Sequence, residues 1–228
     1  MIKKIRNNIL EKLKEKSCEK IYQKYRPYTM IPKKSYITTL NLISKMYTNG
    51  AIVECGVWKG GMIAGIAEML GNICTYYLFD SFEGLPEAKE IDGEAAIKWQ
   101  KNKQNPSYYD NCKASEKEAV ATMKLSNVDS YKIIKGWYKN TLPDFVPNEP
   151  IGVLHIDADW YDSVILCFDH LYKYVQHNGL IIIDDYYVWD GTSKAVHDFL
   201  SKIQSASKIY SLTGGIAYII KKDSHVLL

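Results

Sequence analysis

Two adjacent carboxylates, Asp184 and Asp185, close the apolar run LIIIDDYY (180–187). Like charges on neighbouring residues repel, and burying either one without a partner is costly. A third carboxylate, Asp157, stands near the end of IGVLHIDAD (151–159), 27 residues before Asp184. That separation suits one helix-plus-loop crossover, so the two runs read as neighbouring parallel strands with their ends side by side. Three carboxylates brought together without a nearby cysteine form a hard oxygen site, suited to Mg²⁺ ahead of Mn²⁺ or Ca²⁺. A divalent ion there would remove the repulsion. The plainer alternative is that Asp157 caps the helix after it and Asp185 a following turn. Asp159 and Asp162 read as capping or supporting groups. His155, on Asp157's side of its strand, reads as a source of one supporting hydrogen bond.

A second constellation lies earlier. The run AIVECG (51–56) leads through Val57-Trp58-Lys59 to Gly60 and Gly61, which open a helical stretch. Such a loop lets a ligand approach the backbone closely, although it lacks the GxGxxG spacing of dinucleotide sites. The next apolar run ends in Asp80, 24 residues beyond Gly56. A carboxylate at that strand end is placed to accept hydrogen bonds from both hydroxyls of an adenosine ribose. Loop and carboxylate together favour an adenosyl cofactor.

These residues need strand ends to stand on. The runs at 51–56, 74–80, 131–136, 151–159 and 180–185 read as strands. Helical stretches at 61–70, about 115–125, about 163–175 and 193–203 alternate with them. Repeated βα units predict a largely parallel sheet with helices on both faces, whose ligands bind beyond the strand C-termini. KIYSLTG and IAYIIKK, joined through Gly214-Gly215, read as a closing antiparallel hairpin. Ser81 to about Ser115 is polar and aromatic with weak periodicity, a long insertion at a strand end that reads as a lid, about 83–115. Its Trp99, Tyr108 and Tyr109 can stack on a sugar face or pack beneath the lid. Ahead of the sheet, residues 2–25 carry apolar side chains at helical spacing among Lys and Glu, and Arg26-Pro27 stops that helix. A second helix is expected over about 34–47. The division is an N-terminal helical extension (1–48) and a main domain (49–228).

Composition narrows the function classes. Of 228 residues, 46% are hydrophobic and 24% charged, as in ordinary globular chains. Residues 1–26 hold nine Lys/Arg against three Glu, so the net +3 of the whole leaves the remainder at −3. A mildly acidic body argues against a nucleic-acid groove. Five scattered cysteines without a CxxC pair read as reduced thiols in a cytoplasmic protein. Neither a bilayer-spanning run nor the apolar segment of a secretory signal is seen. The basic N-terminal helix reads as a contact for the body or a second subunit, ahead of attachment to a membrane surface.

Taken together, YTMI (28–31), VECGVWKGG (53–61), LFDSFEGLPE (78–87), KGWYKNTLP (135–143), LHIDADWYDS (154–163) and IIIDDYYVWDGTSKAVHDF (181–199) resemble the macrocin O-methyltransferase family. The resemblance implies a class I methyltransferase fold: a Rossmann-like, mostly parallel seven-stranded sheet. It implies S-adenosylmethionine as cofactor, Mg²⁺ as metal and a sugar or glycoside hydroxyl as acceptor. On it, Glu54, Gly56 and Gly60 line the cofactor pocket and Asp80 holds the ribose. Ser81 and Trp137 lie nearby, and Thr29-Met30 close over the cofactor. Asp157, Asp184 and Asp185 bind Mg²⁺, with Asp157 doubling as general base. Ala158 and His155 depart from the family, where a Gly and a basic residue are common. The lid and N-terminal helix match it poorly. A catechol-type O-methyltransferase shares the metal logic. A nicotinamide oxidoreductase fits less, since no Tyr-x-x-x-Lys pair follows the central strands.

Overall fold

The apolar runs become seven strands in the computed structural model of the chain, which describes residues 17–222. They are β1 (Ala51–Cys55), β2 (Tyr76–Asp80), β3 (Tyr131–Lys135), β4 (Ile151–Ile156), β5 (Val175–Ile183), β6 (Ile209–Leu212) and β7 (Ile216–Ile220). The sheet order is β3-β2-β1-β4-β5-β7-β6. The first five strands are parallel, and β7 lies antiparallel to both β5 and β6. Every residue of β1 and β4 is buried, and apart from Glu54 and His155 those runs are apolar, as burial on both faces requires. The order reverses between β1 and β4, so the loops after these two strands diverge and leave a crevice there.

Two apolar cores sandwich the sheet. On one side Ile52, Leu78, Val153 and Ile182 pack under the helices Lys33–Met46, Gly61–Leu70 and Glu116–Leu125. On the other, Val53, Leu154, Ile181 and Ile183 pack under Tyr161–Leu171 and Asp190–Lys202. Residues 17–25 are helical, and Cys18, Ile21 and Tyr25 are buried in the first core. The helix stops at Arg26-Pro27 as expected, and the chain passes into a 3-10 turn, Arg26–Tyr28. The part of the N-terminal helix expected before residue 17 lies outside the described residues.

Three departures from the sequence reading matter. First, β4 stops at Ile156, so Asp157 and Asp159 leave the strand instead of lying within it. Asp159 has φ +55, left-handed backbone that no strand allows. Second, β5 starts at Val175, five residues earlier than expected, through a register shift opposite Ile151–Val153. Third, the helix after β4 begins at Tyr161 because its first amide is capped from elsewhere. Tyr161 N–H donates to Asp92 Oδ1 at 2.7 Å, so neither Asp157 nor Asp159 serves as that cap.

The insertion after β2 is folded. It holds a 3-10 turn, Glu90–Asp92, and the helix Glu94–Lys101. A turn at 109–112 follows, with four successive non-glycine residues at φ +46 to +59. Left-handed backbone costs such residues roughly 1–2 kcal/mol each. The turn is held by Asn111, whose side-chain amide donates to the Leu85 carbonyl (2.8 Å), while its own carbonyl accepts Leu85 N–H (3.0 Å). Gln100 joins this knot by donating to Pro86 O and Asn111 Oδ1.

Candidate active site

The loop after β1 is shaped by Asp80. One of its oxygens, Oδ2, accepts the backbone N–H groups of Val57 and Trp58, each at 2.8 Å, and Oδ1 accepts that of Phe82 at 2.7 Å. Burial pushes its carboxyl up, and these three amides pull the other way. Asp80 therefore ties the glycine loop to the end of β2, and a carboxylate's four acceptor sites leave one free for a ligand. Gly56 (φ +91) is required by contact as well as conformation: a Cβ there would meet the Asp157 carbonyl oxygen at 1.6 Å. Gly61 has the Tyr28 carbonyl lying across it, 2.5 Å from where a Cβ would stand, and this brings the 28–31 strap onto the loop.

A cavity of about 680 Å³ opens at these strand ends, large enough for a nucleoside-sized ligand. Met30, Gly56, Asp80, Ser81 and Trp137 line it, and so does Asp157. Three other residues assigned to the cofactor stand back from it. Thr29 accepts the Ile31 N–H through its hydroxyl at 3.1 Å and so shapes the strap. Gly60 turns into the following helix with φ +84. Glu54 lies behind the loop, fully buried, its Oε1 2.8 Å from His155 Nδ1. Lid residues Leu85, Pro86 and Lys89 cover the cavity, and Lys89 pairs with Asp162, which is thereby a lid contact and not a cap.

Asp157, Asp184 and Asp185 converge as their spacing predicts, because β4 and β5 are adjacent and parallel. One carboxylate oxygen from each lies within 4.8 Å of the others. At an effective dielectric of about 20, each such pair of full charges repels by about 3.5 kcal/mol or more. Accordingly, burial and then mutual repulsion hold the carboxyls of Asp157 and Asp185 well above the usual range. Asp184 is raised by burial and relieved by His155. Three carboxylates this close need a cation or shared protons, and an all-oxygen donor set fits a hard divalent ion. That set is the test the residues pass for Mg²⁺.

Asp159, expected as a capping or supporting group, also faces the cavity. It accepts the Trp189 indole N–H at 3.1 Å, and burial pushes its carboxyl up to about 7. Its carbonyl also accepts the Thr192 hydroxyl, locking the loop after β4 onto the helix Asp190–Lys202. The repeat of Asp at alternate positions in HIDAD was the available signal. Beside it, Trp160, Trp189 and Trp99 form an edge-to-face cluster with centroids 5.2–6.1 Å apart, and Tyr108 packs on Trp99. Trp99 and Tyr108 thus join the lid to the helix starts, whereas Tyr109 is half exposed.

A parallel sheet whose order reverses at a cofactor-sized crevice, with one antiparallel strand inserted beside β5, defines the class I methyltransferase fold. Solved structures agree: the O-methyltransferase NovP superposes with a TM-score of 0.71 at 25% identity, covering 86% of this chain and 83% of that one. The chain belongs to the macrocin O-methyltransferase (TylF) family, whose sequence pattern matches residues 8–218. It is 29% identical over 171 residues to demethyldecarbamoylnovobiocin O-methyltransferase of Streptomyces niveus. It is 27% identical over 180 residues to a Streptomyces olivaceus enzyme, 8-demethyl-8-(2,3-dimethoxy-alpha-L-rhamnosyl)-tetracenomycin-C 4'-O-methyltransferase. Each match covers 72% of this chain and 63% of the relative's length.

Proposed function

We propose that the protein is an S-adenosylmethionine- and Mg²⁺-dependent O-methyltransferase that methylates a hydroxyl of a sugar or glycoside. Bacterial polysaccharide or natural-product biosynthesis is the setting. The observation that carries this reading is the convergence of Asp184 and Asp185 on Asp157, which itself lines a cofactor-sized cavity. The names of the two Streptomyces relatives, one acting on demethyldecarbamoylnovobiocin and one on a rhamnosyl tetracenomycin, support the acceptor class.

In this reading Met30, Gly56, Asp80, Ser81 and Trp137 contact S-adenosylmethionine, with Asp80's remaining acceptor site on the ribose. Thr29, Glu54 and Gly60 shape that pocket from behind. Methyl transfer from a sulfonium to oxygen is an in-line displacement, so the protein's work is alignment and exclusion of water. Asp157, Asp184 and Asp185 hold the metal. A bound Mg²⁺ would lower the pKa of an acceptor hydroxyl and reverse the raised pKa values of its carboxylates. Asp157 takes the hydroxyl proton, and Asp159, beside it and not among the three converging carboxylates, is the second group able to do so. No described helix is long and apolar enough to cross a membrane. The five free cysteines support a cytoplasmic location.

The test is transfer of a labelled methyl group from S-adenosylmethionine to a panel of sugar nucleotides, glycosides and a catechol, with Mg²⁺ or with EDTA. Transfer to a glycoside that EDTA abolishes is expected. Transfer to catechol alone would move the protein to the catechol-type reading, and activity indifferent to EDTA would remove the metal. Thermal stabilisation by NAD but not by S-adenosylmethionine would replace the cofactor.

A further inference from the structure

Three buried groups form a row across the sheet, from the cofactor strand to the metal strand. Glu54 on β1 is the register partner of His155 on β4, and Asp184 follows the last residue of β5, its amide donating to the Ile156 carbonyl at 3.0 Å. His155 is fully buried. Its Nδ1 is 2.8 Å from Glu54 Oε1. Its Nε2 has no hydrogen-bond partner, and neither has Asp184 Oδ1, which lies 4.0 Å away. Leaving two complementary buried atoms unpaired is costly, and a small side-chain rotation would join them. A carboxylate that binds a cation can only accept hydrogen bonds, so in that contact the ring N–H donates.

We infer that His155 is a positioning residue for the cation site: its Nε2–H holds Asp184 Oδ1, so that the other oxygen of Asp184 is presented beside Asp157 and Asp185. Glu54 braces the ring from the opposite side. The inference rests on the metal reading of the three aspartates. It differs from a packing role because it assigns separate duties to the two ring nitrogens, Nδ1 to Glu54 and Nε2 to Asp184. Partners that orient a metal ligand typically change metal affinity about 10- to 100-fold when lost.

Two polar substitutions separate these duties. In His155→Asn the side-chain amide reaches the place of Nδ1 and keeps Glu54. In His155→Gln it reaches the place of Nε2 and keeps Asp184. Mn²⁺ affinity is measured by electron paramagnetic resonance, and S-adenosylmethionine affinity by calorimetry in chelator. The Asn variant is expected to bind Mn²⁺ about tenfold more weakly or worse. The Gln variant should stay within about threefold, and both should hold S-adenosylmethionine within about threefold of the parent. Equal loss of Mn²⁺ affinity in the two variants, or no loss in either, overturns the assignment. In the unsubstituted protein, Mg²⁺ is expected to shift the ¹⁵N resonance of His155 Nε2. A resonance unmoved at saturating Mg²⁺ overturns the assignment even where a variant does not fold. Parent protein that takes up no Mn²⁺ sinks the metal reading itself, a result seen before any variant is made.

Discussion

Asp92 ties the lid to the helix that follows β4. It is 2% exposed, 69 residues from the helix it caps, and both its oxygens are used. Oδ1 accepts Tyr161 N–H at 2.7 Å and Oδ2 accepts Lys89 N–H at 2.8 Å. Asp92→Ala removes a helix cap, about 0.5–2 kcal/mol, and a second charge-assisted bond of about 1.5–3 kcal/mol. The two overlap in one side chain, so a total of about 2–4 kcal/mol is expected, or a roughly 30- to 700-fold rise in lid opening. Hydrogen exchange should quicken at residues 89–101 and at Tyr161, while β1, β4 and β5 stay protected. Asp162→Asn is the control. It breaks the exposed Lys89–Asp162 pair, and its effect should stay within about 0.5 kcal/mol. Unchanged exchange over 89–101 in Asp92→Ala, or an equal effect from Asp162→Asn, would refute the reasoning.

Other perturbations address the site directly. Asp157→Asn should lower methyl transfer at least about 100-fold while S-adenosylmethionine binding by calorimetry stays within about threefold; equal loss of both would count against its role. Gly56→Ala forces a Cβ into the Asp157 carbonyl at φ +91, and urea melts should show a loss above about 3 kcal/mol. The carboxyls of Asp157, Asp159 and Asp185 are raised in the fold, so in metal-free protein the folded state holds more protons than the unfolded one between pH 4 and 7. These groups therefore make chelated protein less stable as pH rises through that range. Saturating Mg²⁺ should flatten the fall in Tm, and parallel profiles with and without Mg²⁺ would contradict it. Trp189→Phe removes the indole donor to Asp159 and keeps an aromatic side chain. It should slow turnover more than it weakens S-adenosylmethionine binding, measured as kcat against cofactor Kd.

The sheet and the three-carboxylate corner were legible because both follow from local rules. A continuous apolar run buried on both faces, then a helix, then another such run leaves few topologies, and neighbouring parallel strands put Asp157 beside Asp184. The contacts that the sequence hides are those between distant segments. Nothing near Tyr161 announces that its cap will be Asp92, and nothing in VECG shows that Glu54 will meet His155, 101 residues on. Asp159 reads from the sequence as a capping or supporting group, and its place in the cavity depends on where β4 stops. The strand ends at Ile156, and a left-handed residue turns the second carboxylate into the cavity. The lid, with weak periodicity, is held by side-chain bonds from Asn111 and Gln100 that no pattern of apolar residues reports.

The close approach at Gly56 has a wider consequence. Because the Asp157 carbonyl fills the space of a missing Cβ, and the Asp157 amide donates to the Cys55 carbonyl at 2.8 Å, the first and fourth strands are fastened together just where their loops part. Hinge motion has no slack there. Whatever shifts as ligands come and go must be carried by the lid and the strap, while the floor of the cavity stays as rigid as the sheet beneath it.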